Sequence, residues 1–332
     1  MSGGLFFMET KSVVLTSIVL GWAAAGLSAQ AAAPATLQAS AAPSPEAVKR
    51  VEIHHAPSGY DLVFQDEFAV DGMPDQSKWD YATERNAQGW YNREKQYYAR
   101  ARAKNSRVEN GHLIIEAHSE KLDKADFADY GGQKFTSARL VTRGRAAWTY
   151  GFYEIKAKLP CGTGTWPAIW TLPEDPDVVW PNGGEIDIME HVGYEPGVVH
   201  QSIHSKAFNF RVGTQKTTKF DVPDACGAMH RYQLLWTPEF ILLGVDDAPK
   251  FLYKNEKTGP SRWPFDAPQH LLLNIAVGGD WGGQKGVDLK AFPAKMEIDY
   301  VRVYQQKGLK PPLNAEPNKS NTSNAREASN RP

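Results

Sequence analysis

Between Gly184 and His191 the chain reads Gly-Glu-Ile-Asp-Ile-Met-Glu-His, which crowds the carboxylates of Glu185, Asp187 and Glu190 into one short segment. Two neighbouring carboxyl groups can divide the labour of displacement at an acetal carbon, one as nucleophile and the other as general acid and then base. A third between them can hold the nucleophile's geometry and help return the proton. The spacing imposes a condition. Successive strand side chains alternate between faces, so Glu185 and Asp187 share a side whereas Glu190 should point away. A β-bulge at Ile188-Met189, adding one residue, brings Glu190 back beside the other two.

The chain carries its own control. Glu297-Ile298-Asp299 repeats the first three residues, but Tyr300-Val301-Arg302 follow where a second glutamate would be needed. That copy is expected to be an ordinary strand. A carboxyl pair ~5 to 5.5 Å apart gives retention at the anomeric carbon, and wider pairs give inversion; two glutamates leaning inward across the bulge favour retention.

Strands must position these groups. Runs at Leu62-Phe64, Leu113-Ala117, Gly151-Lys158, Tyr232-Trp236, Phe240-Leu243, His270-Ala276 and Glu297-Tyr304 are bounded by turn residues, and several alternate in polarity. No segment sustains a helical period with caps at both ends. The expected fold class is all-β, two packed antiparallel sheets.

The 332 residues carry a net charge of -1, which implies neither a nucleic-acid footprint nor a strong membrane-surface field and points to a neutral partner. The 10 Trp, 13 Tyr and 14 Phe suit stacking on the apolar faces of sugars as well as filling a core. Residues 1–31 read as a secretory signal peptide, with a short apolar run after Lys11 and a small-x-small end at Ala29-Gln30-Ala31. An uncleaved anchor is the alternative, although the run is marginal for a span of ~30 Å. Residues 32–58 are an Ala/Pro/Ser-rich linker, 59–306 one domain, and 307–332 a disordered tail. The expected location is secreted or periplasmic, without stable membrane association after signal cleavage, as a monomer. Cys161 and Cys226 are the chain's two cysteines, and bridging is expected in an exported protein. They are too few for a zinc site.

The segment Gly184–Glu190 resembles the active-site motif of glycoside hydrolase family 16, in the longer form found in laminarinase-like endo-β-1,3-glucanases. The resemblance extends through Asp66-Glu67-Phe68, Gly89–Tyr98, Thr136–Leu140, Gly164–Trp170, Ile203-His204, Trp236-Thr237-Pro238 and Asn274–Trp281. It implies a β-sandwich jelly roll of the concanavalin A-like kind with a cleft across its concave sheet. It also implies Glu185 as nucleophile, Glu190 as acid/base, Asp187 as their assistant, and a β-glucan polysaccharide as substrate. By the same resemblance Trp166, Trp170 and Trp281 stack on sugars, and Asn92, Glu94, Arg139 and His204 bond hydroxyls; a core position for Trp170 fits equally well.

No catalytic cofactor is implied, but a structural calcium is, held by Glu67, the Gly111 carbonyl and Asp299, an oxygen-only set suited to a hard cation. Gly282 beside Trp281 and Tyr91 after Trp90 depart from the usual pattern along the cleft, leaving the glucan linkage open: β-1,3, mixed β-1,3-1,4, or a galactan. A binding protein without turnover and a transglycosylase are the other readings. Retention of all three carboxylates argues against the first of these.

Overall fold

The computed structural model describes residues 56–309. The expected signal segment, nearly all of the linker and the tail beyond Leu309 lie outside the described residues. The strands begin with β1 (Tyr60–Asp66), β2 (Asp80–Tyr81), β3 (Gln96–Tyr98), β4 (Ser106–Glu109), β5 (His112–Ser119) and β6 (Phe135–Ser137). They continue with β7 (Arg139–Val141), β8 (Gly151–Lys158), β9 (Thr165–Pro173), β10 (Glu185–His191), β11 (Val198–His204) and β12 (Lys216–Asp221). The last are β13 (His230–Trp236), β14 (Phe240–Val245), β15 (Ala248–Lys254), β16 (Gln269–Val277) and β17 (Ala294–Gln306). Three single 3-10 turns are the helical content of the described residues.

One sheet runs β15-β14-β13-β8-β17-β5-β6-β3, with β1 added on β17 and β4 on β5; the other runs β12-β11-β10-β9-β16-β7-β2. All pairings are antiparallel except β3 with β6. This is the all-β sandwich the alternating runs require. The two sheets close on one apolar core, in which Ile169, Ile186, Ile188, Met189, Leu271, Leu273 and Ile275 from the second meet Leu113, Ile115, Ile155, Leu234, Ile298 and Val301 from the first. Burying a side chain of this size contributes about 2 kcal/mol relative to leaving it in water, so the core fixes which face of each strand turns inward.

On the opposite face of the seven-stranded sheet the side chains that alternate with this core remain available for chemistry. They come from β9 (Trp166, Ala168, Trp170), β10, β11 (His200, Ser202, His204), β16 (Asn274) and β7 (Arg139). A second, smaller apolar cluster of Trp90, Tyr98, Val141 and Leu272 covers part of this face, with Trp170 packed against it.

The two carboxylates of the expected calcium set take part in ion pairs. Glu67 accepts two hydrogen bonds from the Arg302 guanidinium at 2.7 and 2.8 Å. Asp299 lies 2.7 Å from the Lys156 ammonium. Both carboxylates are thus neutralised by cations on β17 and β8. Gly111 closes the tight turn between β4 and β5 with Asn110, both in the left-handed region. The strand bearing Glu297-Ile298-Asp299 also departs from simple regularity: its pairing with β8 slips by one residue at Asp299. Its two carboxylates, Glu297 and Asp299, pair with Lys158 and Lys156.

Candidate active site

Strand β10 carries the bulge where its sequence places it. Asp187 pairs with Ser202 and Glu190 with His200, so three steps along β10 match two along β11. Against β9, Asp187 pairs with Trp170 and Met189 with Ile169. Ile188 and Met189 are both fully buried in the core, and Glu190 therefore returns to the face of Glu185 and Asp187. A bulge leaves a ladder carbonyl without its strand partner. Here the fully buried Gln201 supplies one, its Nε2 donating to the Ile188 carbonyl at 2.9 Å. Gly184 precedes the strand with φ of +77°, and a Cβ there would lie 2.5 Å from the Phe265 ring.

Two indoles address the two glutamates. Trp180 Nε1 donates to Glu185 Oε2 at 2.6 Å, and Trp166 Nε1 to Glu190 Oε1 at 3.0 Å. Asp187, 2% exposed, lies deepest between them, with His204 Nε2 3.3 Å from its Oδ2. Burial raises the proton affinity of all three carboxyl groups. Glu185 is pushed up to about 8, by desolvation first and then by the charge of Asp187. Glu190 rises to about 7, again mainly through desolvation, with the imidazole of His204 opposing. Asp187 is raised well above the ordinary carboxylate range by burial and by Glu190. Three such groups at this spacing cannot all be ionised, so the site holds protons at neutral pH.

The other expected cleft residues extend from this centre toward β16 and β7. Trp281 meets Trp166 edge-on at 5.3 Å and His200 at 4.8 Å. Trp170 donates from Nε1 to Asn274 Oδ1 at 2.7 Å, and the Arg139 guanidinium sits over its ring at 4.7 Å and over Trp90 at 5.1 Å. Trp170 thus lies half-buried on the cleft face. Glu94 accepts from Gln96 Nε2 at 2.8 Å and has Asn92 beside it; desolvation raises its proton affinity against the charge of Arg139. The turn after β16 also explains Gly282, where a Cβ would come within 2.8 Å of the Gly278 carbonyl and of Trp166 Cβ.

Two residues the motif did not single out belong here. Trp180 sits in the β9–β10 loop and reaches Glu185 only through the fold, although a Trp five residues before the first glutamate was a visible hint. Asn274 links Trp170 to the Tyr98 hydroxyl, to which its Nδ2 donates at 3.1 Å.

Cys161 and Cys226 are bridged, with Cα atoms 5.7 Å apart, and His191 Nε2 lies 3.7 Å from Cys161 Sγ. Burial lowers the proton affinity of His191 to about 4, so the imidazole is neutral. Among the described residues two groups have the donors to hold a metal: Cys161, His191 and Cys226, whose sulfurs are committed to the bridge, and Glu185, Asp187 and His204, which form the carboxylate centre itself.

Residues 93–302 match the family model described as glycosyl hydrolases family 16. A β-glucanase of Rhodothermus marinus is 52% identical over 254 residues, spanning 74% of this chain and 85% of its own length. The fold superposes on a non-specific endo-β-1,3(4)-glucanase with a TM-score of 0.74 at 51% identity, over 77% of this chain and 95% of that one. It also superposes on the laminarinase of Rhodothermus marinus with a TM-score of 0.70 at 51% identity, over 74% and 97% of the two chains. With its bulged carboxylate strand, its jelly-roll sheets and these relatives, the chain belongs to glycosyl hydrolase family 16.

Proposed function

We propose that the protein is an exported endo-β-1,3-glucanase that cuts laminarin-like polymers by double displacement with retention. The observation that carries this reading is the bulged β10, which sets Glu185, Asp187 and Glu190 on one face with an indole donor on each glutamate. Glu185 attacks the anomeric carbon, and Glu190 protonates the departing glycosidic oxygen. Glu190 then takes a proton from the water that releases the glycosyl-enzyme ester. Trp180 donates to Glu185 and favours its ionised form, against burial and the charge of Asp187, which raise its proton affinity; Asp187 between the two glutamates shares their protons as the site resets. The apolar residues 12–28 carry the export proposal, as a cleaved signal.

Mixed β-1,3-1,4-glucan is the second reading, favoured by the likeness to a non-specific endo-β-1,3(4)-glucanase. Reducing-end release from laminarin, lichenan and agarose separates the polymers, and following the anomer first released by NMR tests retention. Wild-type protein that binds laminarin without cutting any of the three would remove the hydrolase mechanism. Full activity in Glu185→Gln or Glu190→Gln would remove the residue assignment.

A further inference from the structure

We propose that the loop between β11 and β12 forms an additional sugar-binding subsite, with Phe210 as its stacking platform and Arg211 as its hydrogen-bonding arm. The subsite rests on the glucanase reading above. Its occupant is a glucosyl unit of the same polysaccharide chain that lies over the carboxylates.

Phe210 is 47% exposed, on a loop that is firmly tied down. Asn209, itself 4% exposed, accepts the Arg211 N–H at 3.1 Å and donates from Nδ2 to the carbonyls of Ser205 and Lys206 at 3.1 and 3.3 Å. The Ala207 N–H donates to the Ser261 carbonyl at 2.7 Å. A single exposed apolar side chain is ordinary, and Phe210 is informative because its ring extends the aromatic surface of Trp180 and His204.

The ring is also continuous with the catalytic centre. It lies 5.2 Å from Trp180, the donor to Glu185, and 5.8 Å from His204, the neighbour of Asp187. The Arg211 guanidinium sits over Trp180 at 4.6 Å. Trp180 is therefore already packed by these two side chains, and the open ring at this end of the cleft is that of Phe210. Phenylalanine has no polar handle, so it takes an apolar surface such as the C–H face of a pyranose. The guanidinium, a donor-only fork, takes the hydroxyls at that ring's edge. The cleft residues recognised from sequence lie mostly on the β9, β16 and β7 side, and this loop supplies the opposite end.

Kinetics of Phe210→Ala and Phe210→Trp on a ladder of β-1,3-glucose oligomers, from the shortest cleaved up to laminarin, test the proposal. The expected result is a loss of roughly 3- to 10-fold in kcat/KM for Phe210→Ala on long chains that shrinks as the chain shortens, with recovery in Phe210→Trp. An equal loss at every length, with a shifted acid limb of the pH profile, would overturn it and reduce the loop to a clamp on Trp180. No loss at any length would also overturn it. Wild-type cleavage of laminarin in the same series keeps the glucanase reading separate from either failure.

Discussion

Replacing Glu185 by glutamine should stabilise this protein while disabling it, and the gain should depend on pH. Glu185 is pushed from its usual 4.5 to about 8 by desolvation and by Asp187, so the folded state keeps a proton that the unfolded chain has already released. When the native state binds more protons than the unfolded one, stability falls as pH rises. The wild type therefore loses stability between about 4.5 and about 8, with no penalty below that window and a constant one above it. Each pKa unit converts to ~1.4 kcal/mol, so the ceiling on this penalty is about 5 kcal/mol. Solvent in the open cleft and proton sharing among three carboxyl groups reduce it to about 2 kcal/mol. Glutamine keeps the shape and still accepts the Trp180 hydrogen bond, but carries no charge.

Denaturant unfolding of both proteins at pH 4, 6 and 8 should show no difference at the lowest pH and about 2 kcal/mol in favour of the variant at the highest, or roughly 4 to 8 °C in Tm. Hydrolysis should fall by about 10,000-fold in parallel. A variant that is no more stable than wild type at pH 8, or equally more stable at every pH, would refute the assignment of Glu185 as a carboxylate strained by burial.

Two further outcomes follow from the same geometry. Trp180→Phe and Trp166→Phe each remove one N–H that favours the ionised form of its glutamate, and because the carboxyl groups titrate together each variant should move the kcat/KM profile to higher pH; an unmoved profile would refute the two roles. Cys161→Ser should cost about 2 to 4 kcal/mol, because the bridge closes a long loop in the unfolded chain, and a Tm insensitive to reductant in the wild type would contradict this.

Sequence was most telling where one residue's side chain has only two directions to choose from. Parity along Glu185–Glu190 located both the bulge and the face it serves, and each of the alternating or apolar runs lies within a strand. Strands β9 and β12 were harder to see: the first contains Pro167 and two partly exposed tryptophans, and the second is a polar edge, Lys-Thr-Thr-Lys-Phe-Asp, with no apolar stripe. Trp180 escaped notice because its hydrogen bond to Glu185 depends on a loop's path, which no local pattern encodes. The ion pairs at the expected calcium positions were invisible for a similar reason. Lys156 and Arg302 reach Asp299 and Glu67 only once β8, β17 and β1 are laid side by side.

The amide of Gln201 faces the core, away from every group that would touch a sugar, yet it completes the bulge that turns Glu190 outward. Ile188 and Met189 are consecutive inward residues, so removing either one would still leave Glu185, Asp187 and Glu190 on a common face of a plain alternating strand. What such a shortening would remove is one of the two carbonyls to which the buried Gln201 Nε2 donates, leaving that of Gly244 at 3.3 Å, at a cost of about 1 kcal/mol. Length at 188–189 and polarity at 201 are thereby linked characters. A chain that shed the extra residue would be under pressure to exchange that glutamine for an apolar side chain in the same lineage.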